Sequence, residues 1–262
     1  MARRLLALAL AVALVLPLLL LLMLSLARHW TWPAVLPAQW QLRQWQDLLA
    51  DVAGLGASLW RSLGMAIGVA VLATALGFPS SRRVARHARR GRLLAAIHLP
   101  YALSPVVMGV GLLYAFLRLH LAGHVLGVML AQLVFAYAYA VILLSGLWSP
   151  RAAALEDLAA TLGANRRQVW WRVLVPMARP MLAVCLFQTF LISWFDYPLA
   201  LLIGSGQVQT LTIRLFEYFN SGDIRLAATC ALLLMAPPLL ALLTNHRLIS
   251  TPAAPHLDTL DD

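Results

Sequence analysis

One acidic residue, Asp196, lies inside a long apolar stretch of the chain, between Trp194 and Tyr197. An ionisable side chain is costly to place within a membrane, so an acid at such a position indicates a functional site. A carboxylate beside aromatic rings would guide a cationic solute, because the rings add cation–π attraction. Two structural interpretations stay open: Asp196 lies near the outer membrane surface, or it pairs with an arginine such as Arg214 to support assembly.

A second candidate is a polar, arginine-bearing segment at residues 150–180, between two apolar runs. Asp157-Leu158-Ala159 is followed after three residues by Gly163, and nine further residues lead to Val173-Leu174-Val175-Pro176. Such a segment does not help the membrane-spanning helices to hold together. We therefore interpret it as a binding surface for a partner outside the membrane.

The residue types in this segment predict a helical hairpin. Pro150 favours a helix start, and Glu156 and Asp157 place negative charge in an early turn, where the helix dipole favours it. Gly163 tolerates the backbone angles that end a helix, so the first helix is expected from about Arg151 to Leu162. A second helix would carry Trp170 and Trp171 to the membrane boundary. It would end at Pro176 and Pro180.

Enzyme chemistry is disfavoured by what the sequence contains. The seven histidines are scattered without a His-Glu-x2-His motif, and His120 and His124 flank a glycine-containing turn where solvated histidines are expected. The chain has no lysine, which excludes a phosphate-binding P-loop. Cys185 and Cys230 fall at different membrane depths, so no disulfide is expected between them. We predict no catalytic residue, no metal site and no cofactor in this chain.

The composition is that of an integral membrane protein. Of the 262 residues, 62% are hydrophobic and 11% charged, against about 25% charged in soluble domains. The apolar residues form six runs long enough to span a bilayer as helices, at about residues 5–26, 59–78, 94–117, 125–148, 181–203 and 226–248. The first run is longer than the core of a cleaved secretory signal, which is the rival interpretation. The sequence therefore predicts one all-α membrane domain over residues 1–248, with a disordered tail at 249–262.

Arginine sets the expected orientation. Of the 20 arginines, 14 fall on the side of the termini and of the segment at 150–180, and six on the other side. By the positive-inside rule, both termini and that segment face the cytoplasm. A basic chain also suggests nucleic acid, but arginines spread over the loops of one leaflet fit membrane topology better. No nucleic-acid partner is expected.

Some residues predict how the helices pack and bend. Gly64 with Gly68, and Gly123 with Gly127, have the four-residue spacing that allows helix backbones to approach closely. Prolines should bend or break the third and sixth runs, at Pro100, Pro105 and Pro237-Pro238. The external segment after the first run is rich in tryptophan, and residues 40–52 are expected to form a short helix at the membrane surface.

The spacing of the segment at 150–180 resembles the signature loop of bacterial ABC importer permeases, in which Glu-Ala-Ala, three residues, Gly, nine residues and Ile-x-Leu-Pro recur. The spacing agrees in full, but Asp157 replaces Glu and Leu158 replaces the first Ala, while Val173 and Val175 stand for Ile and Leu. Leu59-Trp60-Arg61-Ser62-Leu63 and Gly222-Asp223 with Ala227-Ala228 extend the resemblance across most of the chain. It is similar to the six-helix permeases of type I importers, especially the branch serving polyamines, thiamine, ferric iron and phosphonates.

The resemblance implies a function and a set of partners. The loop would form a coupling helix bound by a separate cytoplasmic ATPase. Two copies of that ATPase would be present, and they would hold the ATP and Mg²⁺. A second permease subunit, usually a different chain, and an external solute-binding protein would complete an importer in the bacterial inner membrane. The residues expected at the ATPase contact are Glu156, Asp157, Leu158, Ala159, Leu162, Gly163, Val173, Val175 and Pro176.

The expected function is therefore a permease subunit for a polyamine or another small polar or charged nutrient, with Asp196, Trp194 and Tyr197 as candidate residues of the solute pathway. An ion-coupled secondary transporter that uses Asp196 is the alternative. It would commonly show two related halves, which this sequence does not clearly show, and it would leave the segment at 150–180 without a role. A structural assembly subunit is a third interpretation.

Overall fold

The computed structural model describes residues 2–28, 37, 39–42, 45–46 and 54–249. Most of the described residues lie in helices, and short turns connect those from Leu55 onward. In chain order they are α1 (Ala2–Leu26), α2 (Leu55–Ala85), α3 (Arg90–Ile97), α4 (Leu99–Ala102), α5 (Pro105–Arg118), α6 (Val125–Ser145), α7 (Pro150–Thr161), α8 (Arg166–Trp194), α9 (Pro198–Gly204), α10 (Leu211–Asn220) and α11 (Ile224–Ile249). Most of the surface helix predicted at 40–52, and all of the tail beyond residue 249, lie outside the described residues.

Three helices are long and apolar enough to cross a membrane: α2, α6 and α8. Three shorter apolar helices, at Val15–Leu26, Pro105–Arg118 and Ile224–Leu240, fall in the other three predicted runs. The all-α membrane fold is thus confirmed for the described residues, whereas the count of six spans stays a prediction.

The centre of the bundle is the contact of α2 with α6, against which α8 packs. A methyl group on Gly77 would lie 2.6 Å from Cβ of Ala140, so the two backbones meet where one side chain is absent. The predicted glycine pairs contribute unevenly. Gly68 faces the tip of Met129, whereas Gly64 has open space, and Gly127 packs on the backbone of Leu121.

Prolines have different effects in different helices. The third run is broken as predicted: α4 ends at Ala102 and α5 begins at Pro105, whose N-cap Ser104 accepts a hydrogen bond from the Val106 amide. In the sixth run, α11 continues as a helix through Pro237 and Pro238, so no break occurs there.

The prediction that Pro176 and Pro180 end a helix is wrong. α8 runs from Arg166 to Trp194 through both prolines. Its segment Val169–Leu174 is a π-helix, in which the Val175 amide donates to the carbonyl of Trp170. The wider turn changes the hydrogen-bond register just before Pro176, so that proline opens the following α-helical segment at a position where its missing amide is tolerated.

α1 is attached to α11 at the C-terminal end of α1. Ser25 Oγ lies 3.0 Å from Thr229 Oγ1, and the Trp45 indole donates to Ser25 Oγ over 2.9 Å. Trp45 therefore binds the protein itself, whereas Trp40 is exposed as a surface tryptophan would be.

Candidate functional site

The segment at 150–180 folds as two helices joined by a tight turn. Ser149 caps the N-terminus of α7 by accepting from the Ala152 amide over 3.4 Å, and Pro150 occupies the first turn. The first helix thus extends over Pro150–Thr161, close to the predicted bounds.

The turn after α7 is fixed by Gly163, whose φ is +82°. The Gly163 amide donates to the carbonyl of Ala160, and the Ala164 amide donates to that of Ala159, each over 3.0 Å. These two bonds form a Schellman motif, which requires a left-handed residue at the position of Gly163. α8 then begins with a capping box, because the side chains of Asn165 and Gln168 each accept from the other's backbone amide.

Glu156 connects α7 to the end of α2. Its carboxylate accepts two hydrogen bonds from Arg82, at 3.0 and 2.6 Å, and one from Arg86. The Glu156 side chain is 8% exposed, whereas Arg82 and Arg86 are 31% and 47% exposed. Burial alone would raise the pKa of Glu156, but the hydrogen bonds and charges of Arg82 and Arg86 lower that pKa below its ordinary value of 4.5.

This geometry corrects the sequence prediction that Glu156 and Asp157 lie in an early turn of the helix. Glu156 does not lie in an early turn, because α7 begins at Pro150 and its first turn has no acid. Glu156 also lies behind the exposed surface of the segment, because its carboxylate faces the arginines of α2. The helix dipole is therefore not what stabilises this acid.

Aromatic side chains add to the attachment of the segment on α2. The Trp148 indole donates to Ser81 Oγ over 2.9 Å. The ring of Phe78 lies 5.4 Å from that of Trp148 and 4.9 Å from that of Trp170. Phe78, Ser81, Arg82 and Arg86 all belong to the end of α2 or follow it directly, so the hairpin and this end of α2 form one packed unit.

The opposite face of α7 is exposed and apolar. Leu155, Leu158 and Leu162 are 45%, 57% and 80% exposed and follow one another at three- and four-residue spacing, which places them on one side of a helix. Asp157 and Gly163 are also exposed, while the remaining predicted residues are half-buried: Ala159, Val173, Val175 and Pro176. Leu155 was not among the predicted site residues, although its spacing from Leu158 and Leu162 is visible in the sequence.

Asp196 lies at a break between α8 and α9 and is held by a network of hydrogen bonds. Asp196 Oδ2 accepts from Gln132 Nε2 and from the Ala200 amide, each over 3.0 Å. Ser193 Oγ donates to Gln132 Oε1 over 2.6 Å, and Thr212 donates to the Asp196 carbonyl over 2.9 Å. The proposed pairing with Arg214 is not formed, because Arg214 binds Glu217 at 3.2 Å.

A cavity of about 240 Å³ opens beside this network. Its lining brings together residues of α4, α5, α6, α8 and α9 with Leu103 and Asp196 from two connections: Tyr101, Leu103, Pro105, Gln132, Phe135, Ile192, Asp196 and Leu199. Of the three predicted pathway residues, Asp196 alone is among these. Trp194 is 2% exposed and donates to the Leu234 carbonyl over 2.8 Å, and Tyr197 packs on Phe216 with ring centres 4.1 Å apart.

Two polar residues of this site were missed by the sequence analysis. Gln132 is a lone amide in the apolar run of α6, a signal that was available in the sequence. Ser193 is a small residue whose role depends on facing Gln132, which the sequence does not show. No cluster of three metal-ligating side chains occurs among the described residues.

The chain is similar to known transport proteins. A profile of the family described as "Binding-protein-dependent transport system inner membrane component" matches residues 73–250. The molybdenum transport system permease protein ModB of Mycobacterium tuberculosis is 36% identical over 180 residues, covering 62% of this chain and 67% of that protein. The putrescine transport system permease protein PotI of Escherichia coli is 27% identical over 194 residues, covering 71% and 69%.

Another relative and a solved structure extend the comparison. The sulfate transport system permease protein CysW of Synechococcus elongatus is 30% identical over 181 residues, covering 62% of this chain and 63% of that protein. A chain of a bacterial ABC transporter that imports the acidic polysaccharide alginate has a TM-score of 0.65 over 94% of each chain, at 15% identity, and so supports the fold. The profile covers most of the chain, and this protein therefore belongs to the binding-protein-dependent transport system inner membrane components, the permease subunits of ABC importers.

Proposed function

We propose that this permease receives the force of ATP hydrolysis through the exposed leucine face of α7 and transmits it to α2 through Glu156. The observation that carries the proposal is the division of α7 into two faces. One face is attached to Arg82 and Arg86, and the other presents Leu155, Leu158 and Leu162 to solvent. Exposed apolar residues on a short helix outside the membrane favour a protein partner.

The packing explains how movement would pass into the membrane. A partner that displaces α7 also displaces the end of α2, because the ion pairs and the rings around Phe78 join them. α2 packs along α6 and α8, so its displacement changes the arrangement of the central helices. Alternating access then follows as a movement of packed helices between two arrangements.

The proposed complex contains two copies of a separate ATP-binding subunit, which hold ATP and Mg²⁺, together with a second permease subunit and an external solute-binding protein. The termini and α7 face the cytoplasm of a bacterium, because most arginines lie on their side of the membrane. Family membership supports this set of partners.

For the solute, we propose a small hydrophilic nutrient that passes the cavity beside Asp196. The cavity lining holds one acid and no arginine, lysine or histidine, which favours a cation such as a polyamine. The printed functions of the relatives cover molybdenum, putrescine and sulfate, so they support small polar solutes without selecting one.

The test of coupling is co-purification of the tagged chain from bacterial membranes in mild detergent. Leu158→Asp with Leu162→Asp should abolish recovery of an ATPase, because charged groups then replace the apolar contact. Leu119→Asp is the control, since Leu119 is 64% exposed and directly follows the last residue of α5. An unchanged yield of ATPase with the double variant would contradict the proposed surface, and uptake by the isolated chain without ATP would support the ion-coupled carrier instead.

A further inference from the structure

An apolar groove of about 730 Å³ runs between α2 and α8. Val71, Ala75 and Phe78 form one wall, and the other wall comes from α8. The α8 side contributes residues from the π-helical segment and from the helix beyond it: Trp170, Trp171, Val175, Leu182, Ala183 and Leu186. The groove belongs to neither the cavity beside Asp196 nor the leucine face of α7.

The groove is long enough to cross the hydrocarbon of one leaflet of a bilayer. The positions from Trp171 to Leu186 extend about 22 Å along α8 at the helical rise per residue. The hydrocarbon of one leaflet is about 15 Å thick. An acyl chain that enters at the tryptophans would therefore reach the middle of the membrane within the groove.

A basic pocket adjoins the groove at its tryptophan end. This pocket, of about 340 Å³, is lined by Arg167, Gln168, Trp171 and Arg172, so Trp171 forms a wall shared with the groove. Arg167 and Arg172 form no ion pair with any other residue in the described ranges, whereas Arg82 and Arg86 bind Glu156. Two cationic side chains are thus available next to an apolar groove that starts at two interfacial tryptophans.

We infer that this groove and basic pocket together bind one anionic phospholipid. An acyl chain occupies the groove, and the phosphate group lies against Arg167 and Arg172, whose guanidinium groups bind phosphate in a bidentate manner. Tryptophan at the headgroup level and arginine beside anionic lipid are the arrangement that membrane electrostatics favours. The inference depends on the chain spanning a membrane and does not depend on the solute or on the ATPase contact.

Charge argues against a second copy of this chain as the occupant. A symmetric contact between two copies through this groove would place Arg167 and Arg172 of one copy near the same residues of the other. No acid lines either the groove or its basic pocket. Of the two acids in the neighbouring pocket that Arg167 also lines, Glu156 is bound by Arg82 and Arg86, so Asp157 alone would face the like charges. An anionic headgroup supplies the missing negative charge.

The test is native mass spectrometry of the intact complex, purified from membranes and reconstituted in nanodiscs of either phosphatidylglycerol or phosphatidylcholine. We expect phosphatidylglycerol to stay bound. The double variant Arg167→Gln, Arg172→Gln should lower its retention by roughly thirtyfold, since each surface arginine contributes about a fivefold preference for anionic lipid. The matched control is Arg89→Gln with Arg90→Gln, which removes the same charge from an exposed turn away from the groove.

A second variant tests the groove without changing charge. Ala183→Trp fills the apolar groove and should release the lipid, while the thermal stability and assembly of the complex should stay unchanged. Equal retention of phosphatidylcholine and phosphatidylglycerol would overturn the headgroup site. Retention of phosphatidylglycerol by Ala183→Trp would overturn the groove. Absence of lipid from the wild-type complex, with the groove covered by the second permease in crosslinking, would overturn the inference as a whole.

Discussion

Glu156 and Arg82 are 74 residues apart in the chain and joined by two hydrogen bonds, at 3.0 and 2.6 Å. Arg86 adds a third bond to the same carboxylate. A single buried acid therefore fixes the position of α7 relative to the end of α2. The residue immediately after it, Asp157, is exposed and was predicted from the sequence at the ATPase contact, so two neighbouring acids have different environments.

Glu156→Gln should weaken both stability and coupling. Gln keeps the size of the side chain but leaves Arg82 and Arg86 without a negative partner. We expect a loss of roughly 1–3 kcal/mol, less than for a fully buried pair because both arginines remain partly exposed. Thermal unfolding in detergent and solute-stimulated ATP hydrolysis of the complex measure the two effects. Asp157→Asn is the control, which should leave the thermal midpoint unchanged.

The contribution of Glu156 should depend on pH. Its pKa is lowered in the folded chain from an ordinary value of 4.5. The unfolded chain therefore takes up the proton first as pH falls, so the stabilisation is fully present above about pH 5.5 and declines below the ordinary pKa toward the lowered one. The difference in thermal midpoint between wild type and Glu156→Gln should shrink on acidification from neutral pH to pH values near 4. A difference that grows on acidification would contradict the ion pair.

Gly163→Val should uncouple ATP hydrolysis from transport. Gly163 has φ of +82° and open space around it, so the cost of a side chain there is backbone strain rather than a clash. That strain is roughly 1–2 kcal/mol and would displace the turn after α7. Solute-stimulated ATP hydrolysis is the measurement.

Gly222→Val provides the matched control for that variant. Gly222 has φ of +80° and equally open surroundings, but it lies in the turn before α11. The two variants should lose similar stability, and only Gly163→Val should lose coupling. Equal loss of coupling in both would assign the effect to general destabilisation.

Gly77→Ala should destabilise the centre of the bundle. The new methyl group would lie 2.6 Å from Cβ of Ala140, so α2 and α6 must separate. Overpacking of this kind costs about 1–3 kcal/mol. Gly64→Ala is the same substitution on the same helix with nothing within 4 Å, and it should be neutral or stabilising. Thermal midpoints in detergent compare them, and a more stable Gly77→Ala would contradict the close approach.

Asp196→Asn and Asp196→Ala separate charge from geometry at the cavity. Asn retains one oxygen that accepts from both Gln132 Nε2 and the Ala200 amide, whereas Ala removes both bonds. If the solute is a cation, Asn should raise the solute concentration needed for half-maximal uptake while assembly is kept. Ala should also lower the thermal midpoint. Unaltered uptake with Asn would leave Asp196 a structural role at the break between α8 and α9.

The resemblance of the sequence to ABC importer permeases was confirmed. The features that carry it are determined by residues close together in the chain. Apolar runs indicated membrane helices because hydrocarbon requires internally satisfied backbones. Gly163 ended α7 as predicted, since the left-handed turn depends on one residue type. The role predicted for Pro176 was wrong because a π-helical turn, which adjusts the hydrogen-bond register before Pro176, has no simple sequence signal. Pro180 lies inside the helix that follows and does not end it either.

The chain sequence by itself determined the class of protein, the approximate helix positions and the spacing of the segment around Gly163. These features follow from composition, periodicity and turn chemistry, which act over a few residues. The tertiary structure alone decided that Glu156 faces Arg82, that Gly77 is where α2 meets α6, and that Asp196 shares a cavity with Gln132 while Trp194 does not. Each of these depends on contacts between residues far apart in the chain, and their geometry is set by how whole helices pack.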